Sequence, residues 1–254
     1  MIGKVKQLLK KGANSLGYDI TYKRNEKDRY IDMDTGFFKI YEKCKSYTMT
    51  SVERVYSLYK SVEYVIDNDI DGDFVECGVW KGGSAMVILL TLMKHNIKDK
   101  KLYLYDTFEG MPMPGKEDIN FAGVPAIDRW NEKTKKGKIK WADAGVNEVE
   151  SYLKLSGYPI KKITFVKGLV EETIPAIVPK KIAILRLDTD WYKSTKHELE
   201  FLYPLLIKGG IIIIDDYGHY KGSKKATDEY IKNNKIKIFL NRIDYTCRVG
   251  IKIE

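Results

Sequence analysis

Two strand-like runs of this chain end in acids. Ile182-Ala183-Ile184-Leu185-Arg186-Leu187 finishes in Asp188-Thr189-Asp190, and Gly210-Ile211-Ile212-Ile213-Ile214 finishes in Asp215-Asp216-Tyr217. Apolar runs that close on carboxylates deliver acid groups to the carboxyl edge of a parallel sheet, where open α/β folds bind their ligands. If Asp188, Asp215 and Asp216 converge to within about 5 Å, each pair repels by roughly 3 kcal/mol at an effective dielectric of about 20. A hard divalent cation such as Mg²⁺, which favours oxygen ligands, relieves that repulsion. These three are therefore candidate metal ligands. His219 follows the acid pair closely and is a candidate proton acceptor near neutral pH. Asp190 is expected either to stand behind Asp188 as a further acid or to cap the helix that begins near Ser194.

A second constellation is the glycine turn Glu76-Cys77-Gly78-Val79-Trp80-Lys81-Gly82-Gly83-Ser84, at a strand-to-helix junction. Glycines let a ligand approach the backbone there, and the helix amino terminus offers unpaired N–H groups to an anion. The spacing is neither Gly-x-Gly-x-x-Gly nor Gly-x-x-x-x-Gly-Lys-Ser, which disfavours a dinucleotide and excludes a P-loop. A smaller anion such as an amino-acid carboxylate fits better. Asp106 ends the next strand, where an acid commonly accepts hydrogen bonds from both ribose hydroxyls. A ligand carrying both a ribose and an amino acid is S-adenosylmethionine.

These groups need a scaffold, and the pattern supplies one. Helical spacing of Val52, Val55, Leu58, Tyr59, Val62, Val65 and Ile66 predicts a helix capped by Thr50 or Ser51. Strands are predicted over Phe74 to Gly78, Leu102 to Asp106, Ile163 to Gly168, Ile182 to Asp188 and Gly210 to Asp216, with two more over Ile236 to Leu240 and Cys247 to Ile253. Helices are predicted from Ser84 to Lys94, Asn147 to Leu155 and Ser194 to Leu206. Alternating elements with continuous apolar strands mean a parallel sheet covered on both faces. Residues 1–47 read as a helix plus a lid-like segment ahead of one catalytic domain at 48–254. The stretch Gly110 to Trp141, rich in Pro, Gly and Lys, reads as a lid facing the acceptor.

Composition narrows the classes. The 254 residues suit one α/β domain with an insertion. The formal charge of +9 is spread in short lysine groups, densest at Lys133 to Lys140 and Lys221 to Lys225, and reads as a solvated surface. Three cysteines at wide spacing fit neither a disulfide framework nor a zinc cluster, and point to a reducing cytoplasm. The longest apolar stretch, Ala85 to Met93, falls well short of the roughly 20 residues of a membrane span. Met1 to Lys11 is basic and amphipathic, a surface helix without signal-peptide features.

The motifs in order resemble a family: the metal-dependent sugar O-methyltransferases typified by macrocin O-methyltransferase. The likeness runs from about Tyr47 to Ile253, through Thr48-Met49-Thr50, Gly72 to Ser84, Asp106-Thr107-Phe108-Glu109-Gly110-Met111-Pro112, Val170-Glu171-Glu172-Thr173-Ile174-Pro175, Leu185 to Thr195 and Asp215-Asp216-Tyr217-Gly218. It implies a class I methyltransferase, Rossmann-like fold: a mostly parallel seven-stranded sheet with helices on both faces and an N-terminal lid segment. It also implies that Glu76, Gly78, Gly82 and Ser84 surround the methionine part of S-adenosylmethionine, that Asp106 and Thr107 serve the ribose, that Val170 lies beside the adenine, and that Thr48 and Met49 close over the cofactor. Asp188, Asp215 and Asp216 would carry Mg²⁺.

The related catechol-type enzymes use a lysine three positions after the first metal aspartate. Trp191 stands there in this chain, so Asp188, with Asp190 and His219 behind it, is the candidate base. The implied acceptor is the hydroxyl of a sugar or glycoside, with no nucleic-acid partner, and relatives commonly form homodimers. Two alternatives compete: a nucleotide-sugar glycosyltransferase using Asp188-Thr189-Asp190 as its Asp-x-Asp, and a nucleic-acid-modifying methyltransferase drawing on the basic charge.

Overall fold

A computed structural model describes residues 9, 11–13, 15–17, 30–135, 137–139 and 141–254. The chain divides into two compact units, Met1–Thr35 and Gly36–Glu254. The expected amphipathic helix over Met1 to Lys11 lies outside the described residues but for Leu9 and Lys11.

The second unit is built on a sheet. In chain order its elements are α1 (Thr35–Cys44), α2 (Val52–Asp67), β1 (Asp73–Cys77), α3 (Gly83–Lys94), β2 (Leu102–Asp106), α4 (Ala126–Lys133), β3 (Thr134–Lys135), β4 (Lys138–Ile139) and α5 (Val146–Lys154). There follow β5 (Ile163–Lys167), α6 (Val170–Thr173), β6 (Ile182–Leu187), α7 (Tyr192–Leu202), β7 (Leu206–Ile214), α8 (Lys221–Asn233), β8 (Asn241–Arg242) and β9 (Arg248–Ile251). The expected mostly parallel seven-stranded sheet is present, in the order β5-β2-β1-β6-β7-β9-β8. Its first five strands run parallel, and β9 and β8 close it antiparallel.

Burial explains the strand patterns. Every residue of β6 is buried, as befits a central strand covered on both faces. Val75, Cys77, Leu185, Leu187, Ile212 and Ile214 pack with Leu199 and Leu202 of α7 in one cluster. Side chains alternate across a strand, so Glu76 and Arg186 point to the opposite face. α3 is buried almost all round, from Gly83 through Leu89 and again at Thr91 and Leu92.

Four segments differ from the sequence reading. Ile236 to Leu240 forms no strand; Ile236, Ile238 and Leu240 dock on the α7-side cluster, and Ile238 and Leu240 lie against the bare backbone of Gly250. Its alternation therefore reflects side-chain docking without a hydrogen-bonded ladder, and the edge strand is β8. The helix expected to reach Leu206 stops at Leu202, where Pro204 enforces a single 3-10 turn before β7. α8 occupies a stretch read only as a basic patch. Gly222, Ser223, Ala226 and Thr227 form its buried stripe, and Lys224 pairs with Asp228 along it. The Gly110 to Trp141 stretch holds α4 and the β3–β4 hairpin.

The strand register aligns the carboxyl ends of the three central strands. Glu76 pairs with Arg186 and Arg186 with Ile213, while Cys77 pairs with Leu187 and Leu187 with Ile214. Gly78, Asp188 and Asp215 therefore leave the sheet side by side at its carboxyl edge.

Candidate active site

The turn after β1 is held by an acid. Asp106 Oδ2 accepts hydrogen bonds from the N–H groups of Val79, at 2.6 Å, and Trp80, at 3.0 Å, and Oδ1 accepts from Phe108 N–H at 2.7 Å. Trp80 sits at φ 46°, a left-handed conformation costly for a bulky side chain. The Asp106 bonds keep it there. Gly78, at φ 85°, is required by crowding as well: a Cβ built on it would lie 2.0 Å from the Asp188 carbonyl oxygen. The glycine turn and the acid loop thus touch backbone to backbone.

The segment before α2 lies over the start of α3. Gly83 N–H donates to the Tyr47 carbonyl at 3.0 Å, and Tyr47 stacks on Tyr152 of α5 with centroids 3.7 Å apart. Thr48 and Thr50 hydroxyls bond at 2.9 Å, and Met49 is exposed. Ser51 caps α2 by accepting from Arg54 N–H, and its hydroxyl donates to Asp244 at 3.0 Å. That cap aims Arg54 at the sheet edge.

The acids are not left to repel one another. Arg186, 3% exposed, donates from Nη1 to Glu76 Oε1 at 2.8 Å and Asp188 Oδ2 at 2.7 Å, and from Nη2 to Asp215 Oδ1 at 2.9 Å. Arg54 pairs with Asp215 Oδ2 and, through Nε at 3.0 Å, with Asp244. Sequence reasoning missed both arginines. The signal was present in Arg186, a charge inside a buried strand, where such a group must be paired.

Two guanidiniums do not balance the site. Besides Glu76, Asp188, Asp215 and Asp244, it holds Asp216 and Asp190. Burial pushes Glu76 up to about 7 against the pull of Arg186, with Asp106 and Asp215 adding to the rise. Burial likewise raises Asp190 to about 7, opposed by its bond with Asp216. Asp188 and Asp216 are raised by burial and by neighbouring acids. Asp190 also departs from the expected cap: it turns at φ 66°, the N-cap of α7 is Trp191, and Asp190 lines the cleft.

One oxygen each of Asp188, Asp215 and Asp216 can be chosen so that all lie within 4.8 Å of one another. Asp216 Oδ2 is buried with no hydrogen-bond partner, and so is Glu76 Oε2. A buried carboxylate oxygen without a donor has room for a further partner, and the all-oxygen donor set fits a hard cation such as Mg²⁺. Asp215, already bound by both arginines, is the most satisfied of the three.

These groups line a cleft of about 290 Å³. It gathers Thr48, Met49, Glu76, Gly78, Ser84, Asp106, Thr107, Val170 and His219 with the three aspartates. Gly82 alone of the expected cofactor residues is not in the wall. It caps α3 at φ 81° and faces Val149 and Leu153. His219 Nδ1 lies 3.1 Å from the Tyr245 hydroxyl, and burial, with Arg129 and Arg54 nearby, lowers its pKa. Arg129 and Trp141, from the 110–141 stretch, also line the cleft.

The chain is similar to known proteins in sequence and fold. Residues 4–249 match the family described as Macrocin-O-methyltransferase (TylF). Demethyldecarbamoylnovobiocin O-methyltransferase of Streptomyces niveus is 32% identical over 73% of this chain and 68% of its own. A tetracenomycin-C rhamnosyl 4'-O-methyltransferase of Streptomyces olivaceus is 31% identical over 79% of this chain and 74% of its own. The solved O-methyltransferase NovP superposes with a TM-score of 0.72 at 28% identity, covering 82% of this chain and 83% of that one. The glycosyltransferase reading of Asp188-Thr189-Asp190 finds no counterpart among these relatives. A family match spanning nearly the whole sequence, on a sheet whose carboxyl edge carries the expected cleft, places the chain in the macrocin-O-methyltransferase (TylF) family, and it is an O-methyltransferase.

Proposed function

We propose that the cleft transfers a methyl group from S-adenosylmethionine to a sugar hydroxyl with the help of Mg²⁺ held at Asp188, Asp215 and Asp216. The observation that carries this reading is the contact of Gly78 with the Asp188 backbone. It sets the turn suited to the cofactor's amino acid directly beside the acid cluster. Curated relatives act on glycosides of novobiocin and tetracenomycin type, which supports a sugar acceptor.

When bound, S-adenosylmethionine supplies an electrophilic methyl on a sulfonium, and Mg²⁺ lowers the pKa of a hydroxyl and fixes its position. The chain's residues do the rest. Glu76 Oε2, buried and unpartnered, is the acceptor for the ammonium of the methionine part, and Gly78 and Ser84 leave room for its carboxylate at the start of α3. Asp106 pins the glycine turn through Oδ2, and its Oδ1, which accepts from Phe108 N–H and lies beside the Thr107 hydroxyl, would serve a ribose hydroxyl. Val170 and Leu169 offer an apolar wall to the adenine, and Thr48 and Met49 cover the mouth. Asp188, oriented by Arg186, takes the hydroxyl proton as the C–O bond forms and the S–C bond breaks. His219, whose pKa is lowered by burial and by Arg129 and Arg54, stands by to relay it.

Calorimetry with S-adenosylmethionine and titration with Mg²⁺ test the assignment. Asp216→Asn is expected to weaken Mg²⁺ binding at least about tenfold while cofactor affinity stays within a few-fold. Failure of the wild-type protein to bind S-adenosylmethionine with or without Mg²⁺ overturns the reading.

A further inference from the structure

The same cleft also carries a cation with no carboxylate partner among the described residues. Arg129, on α4, lines the wall with its guanidinium 4.6 Å from the centre of the Trp141 ring. Trp141 meets Trp191 edge-on at 5.6 Å, and Trp191 meets Tyr220 at 5.0 Å, so the stack is anchored to the core beside the acid loop. Trp191 Nε1 donates to Pro112 O at 3.0 Å and Trp130 Nε1 to Met111 O at 2.9 Å, which ties α4 to that anchor. Arg129 is thus held, yet among the described residues it forms no ion pair. The contrast with Arg54 and Arg186 is plain, since each of those serves at least two carboxylates.

Arg129 stacks on Trp141, makes a side-chain hydrogen bond with Tyr220 and acts electrostatically on His219, whereas the cofactor's amino acid is assigned to Glu76, Gly78 and Ser84. Tyr245 lines the same cleft, and Phe121 lies 5.5 Å from it and 5.4 Å from His219; both Phe121 and Tyr245 are exposed. Exposed rings of this kind suit the apolar face of a pyranose. A stacked guanidinium with no carboxylate partner among the described residues can recognise a planar or tetrahedral oxyanion.

We propose that the acceptor is an anionic sugar, one bearing a carboxylate or a phosphate, whose charge is read by Arg129 while its ring lies along Phe121 and Tyr245. This inference rests on the sugar O-methyltransferase reading and narrows its substrate class. Uronate and sugar phosphate share the chemistry, and the two differ in the experiment.

Binding of the methyl glycoside, the uronate and the 1-phosphate of glucose and of galactose is measured by calorimetry in the presence of S-adenosylhomocysteine and Mg²⁺. The expected result is that an anionic member of a series binds about tenfold or more tightly than its neutral counterpart, the scale of a charge-assisted bond. Arg129→Gln should erase that advantage, and Arg129→Lys should keep part of it. Stronger binding of the uronate names the carboxylate, and of the 1-phosphate the phosphate. Equal binding of neutral and anionic sugars, binding of none of them, or an advantage that survives in Arg129→Gln overturns the proposal. S-adenosylmethionine affinity is measured first on the same preparations. If it is absent in the wild type, the methyltransferase site falls and this inference with it; if it is present without an anion preference, only the inference falls.

Discussion

Arg186 Nη1 lies between Glu76 Oε1, at 2.8 Å, and Asp188 Oδ2, at 2.7 Å, so one buried guanidinium nitrogen joins the glycine-turn side of the cleft to its acid side. The other nitrogen reaches Asp215. Replacing Arg186 by Met would leave three carboxylates in low dielectric with Arg54 as their nearest cation. Breaking a buried ionic cluster on one side costs about 3–5 kcal/mol. Arg186→Met should therefore lower unfolding free energy by that amount in urea titrations. On the proposed Mg²⁺ site, added Mg²⁺ should raise the stability of the variant more than that of the wild type. Equal stability of the two proteins would show that the arginine does not hold the acids together.

Gly78 makes the second prediction. Its φ of 85° is strained for any other residue, and a Cβ would meet the Asp188 carbonyl oxygen at 2.0 Å, backbone that cannot swing aside. Gly78→Ala should cost about 2 kcal/mol or more and weaken S-adenosylmethionine binding at least about tenfold. Gly123 is the control: its φ is 86° but nothing lies within 4 Å of its added Cβ, so Gly123→Ala carries the backbone strain alone. A Gly78→Ala protein no worse than Gly123→Ala would refute the contact argument.

The sheet was legible because its strands are long apolar runs between glycine turns, and the three aspartates because they end such runs. What the sequence hid was compensation across the chain. Arg54 and Arg186 stand 132 positions apart, and only the capped α2 and the β6 register bring both onto Asp215. Asp190 reads equally as a further acid behind Asp188 or as a helix cap before Ser194; it turns at φ 66° and lines the cleft, so the cap reading fails. Ile236 to Leu240 alternates like a strand, but its apolar face docks on the core without pairing. Period 2 reports that one face is buried; it does not report a ladder.

Glu63 links α2 to α3 and should set part of the acid limb of stability. It is 7% exposed; burial opposes its ionisation, but bonds from Lys60, Lys94, Tyr59 and His95 outweigh this and hold it at about 2, below its ordinary 4.5. A folded-state pKa below the unfolded one means that the ionised form is favoured by folding. The contribution is complete above about 4.5 and is lost as pH falls through about 2. Unfolding free energy measured against pH should fall more steeply over that window in the wild type than in Glu63→Gln, and the variant should be the less stable at neutral pH. Parallel profiles would remove Glu63 from the acid limb.

Asp118 ties the 110–141 stretch to the acid loop. Only 2% exposed, it accepts from Gly115 N–H at 2.7 Å on Oδ2 and from Tyr192 N–H at 2.8 Å on Oδ1, while its own carbonyl accepts from Ala126 N–H at 2.8 Å. Tyr192 opens α7, just after Asp188-Thr189-Asp190, so one carboxylate fastens the outer wall of the cleft to the helix behind its acids. Asn at this position keeps a single oxygen and turns an NH₂ on the other N–H, donor against donor, which costs roughly 1–3 kcal/mol in a buried site. That loss should fall on local opening, because Arg129 and the α4 wall depend on the tie while β1 and α3 do not. Asp118→Asn is expected to raise the rate of trypsin cleavage after Lys116 and Arg129 about tenfold, with S-adenosylmethionine affinity within a few-fold of wild type. Unchanged cleavage would mean that Trp130 and Trp191 hold the stretch by themselves; a matching loss of cofactor affinity would mean that the wall and the glycine turn open as one unit.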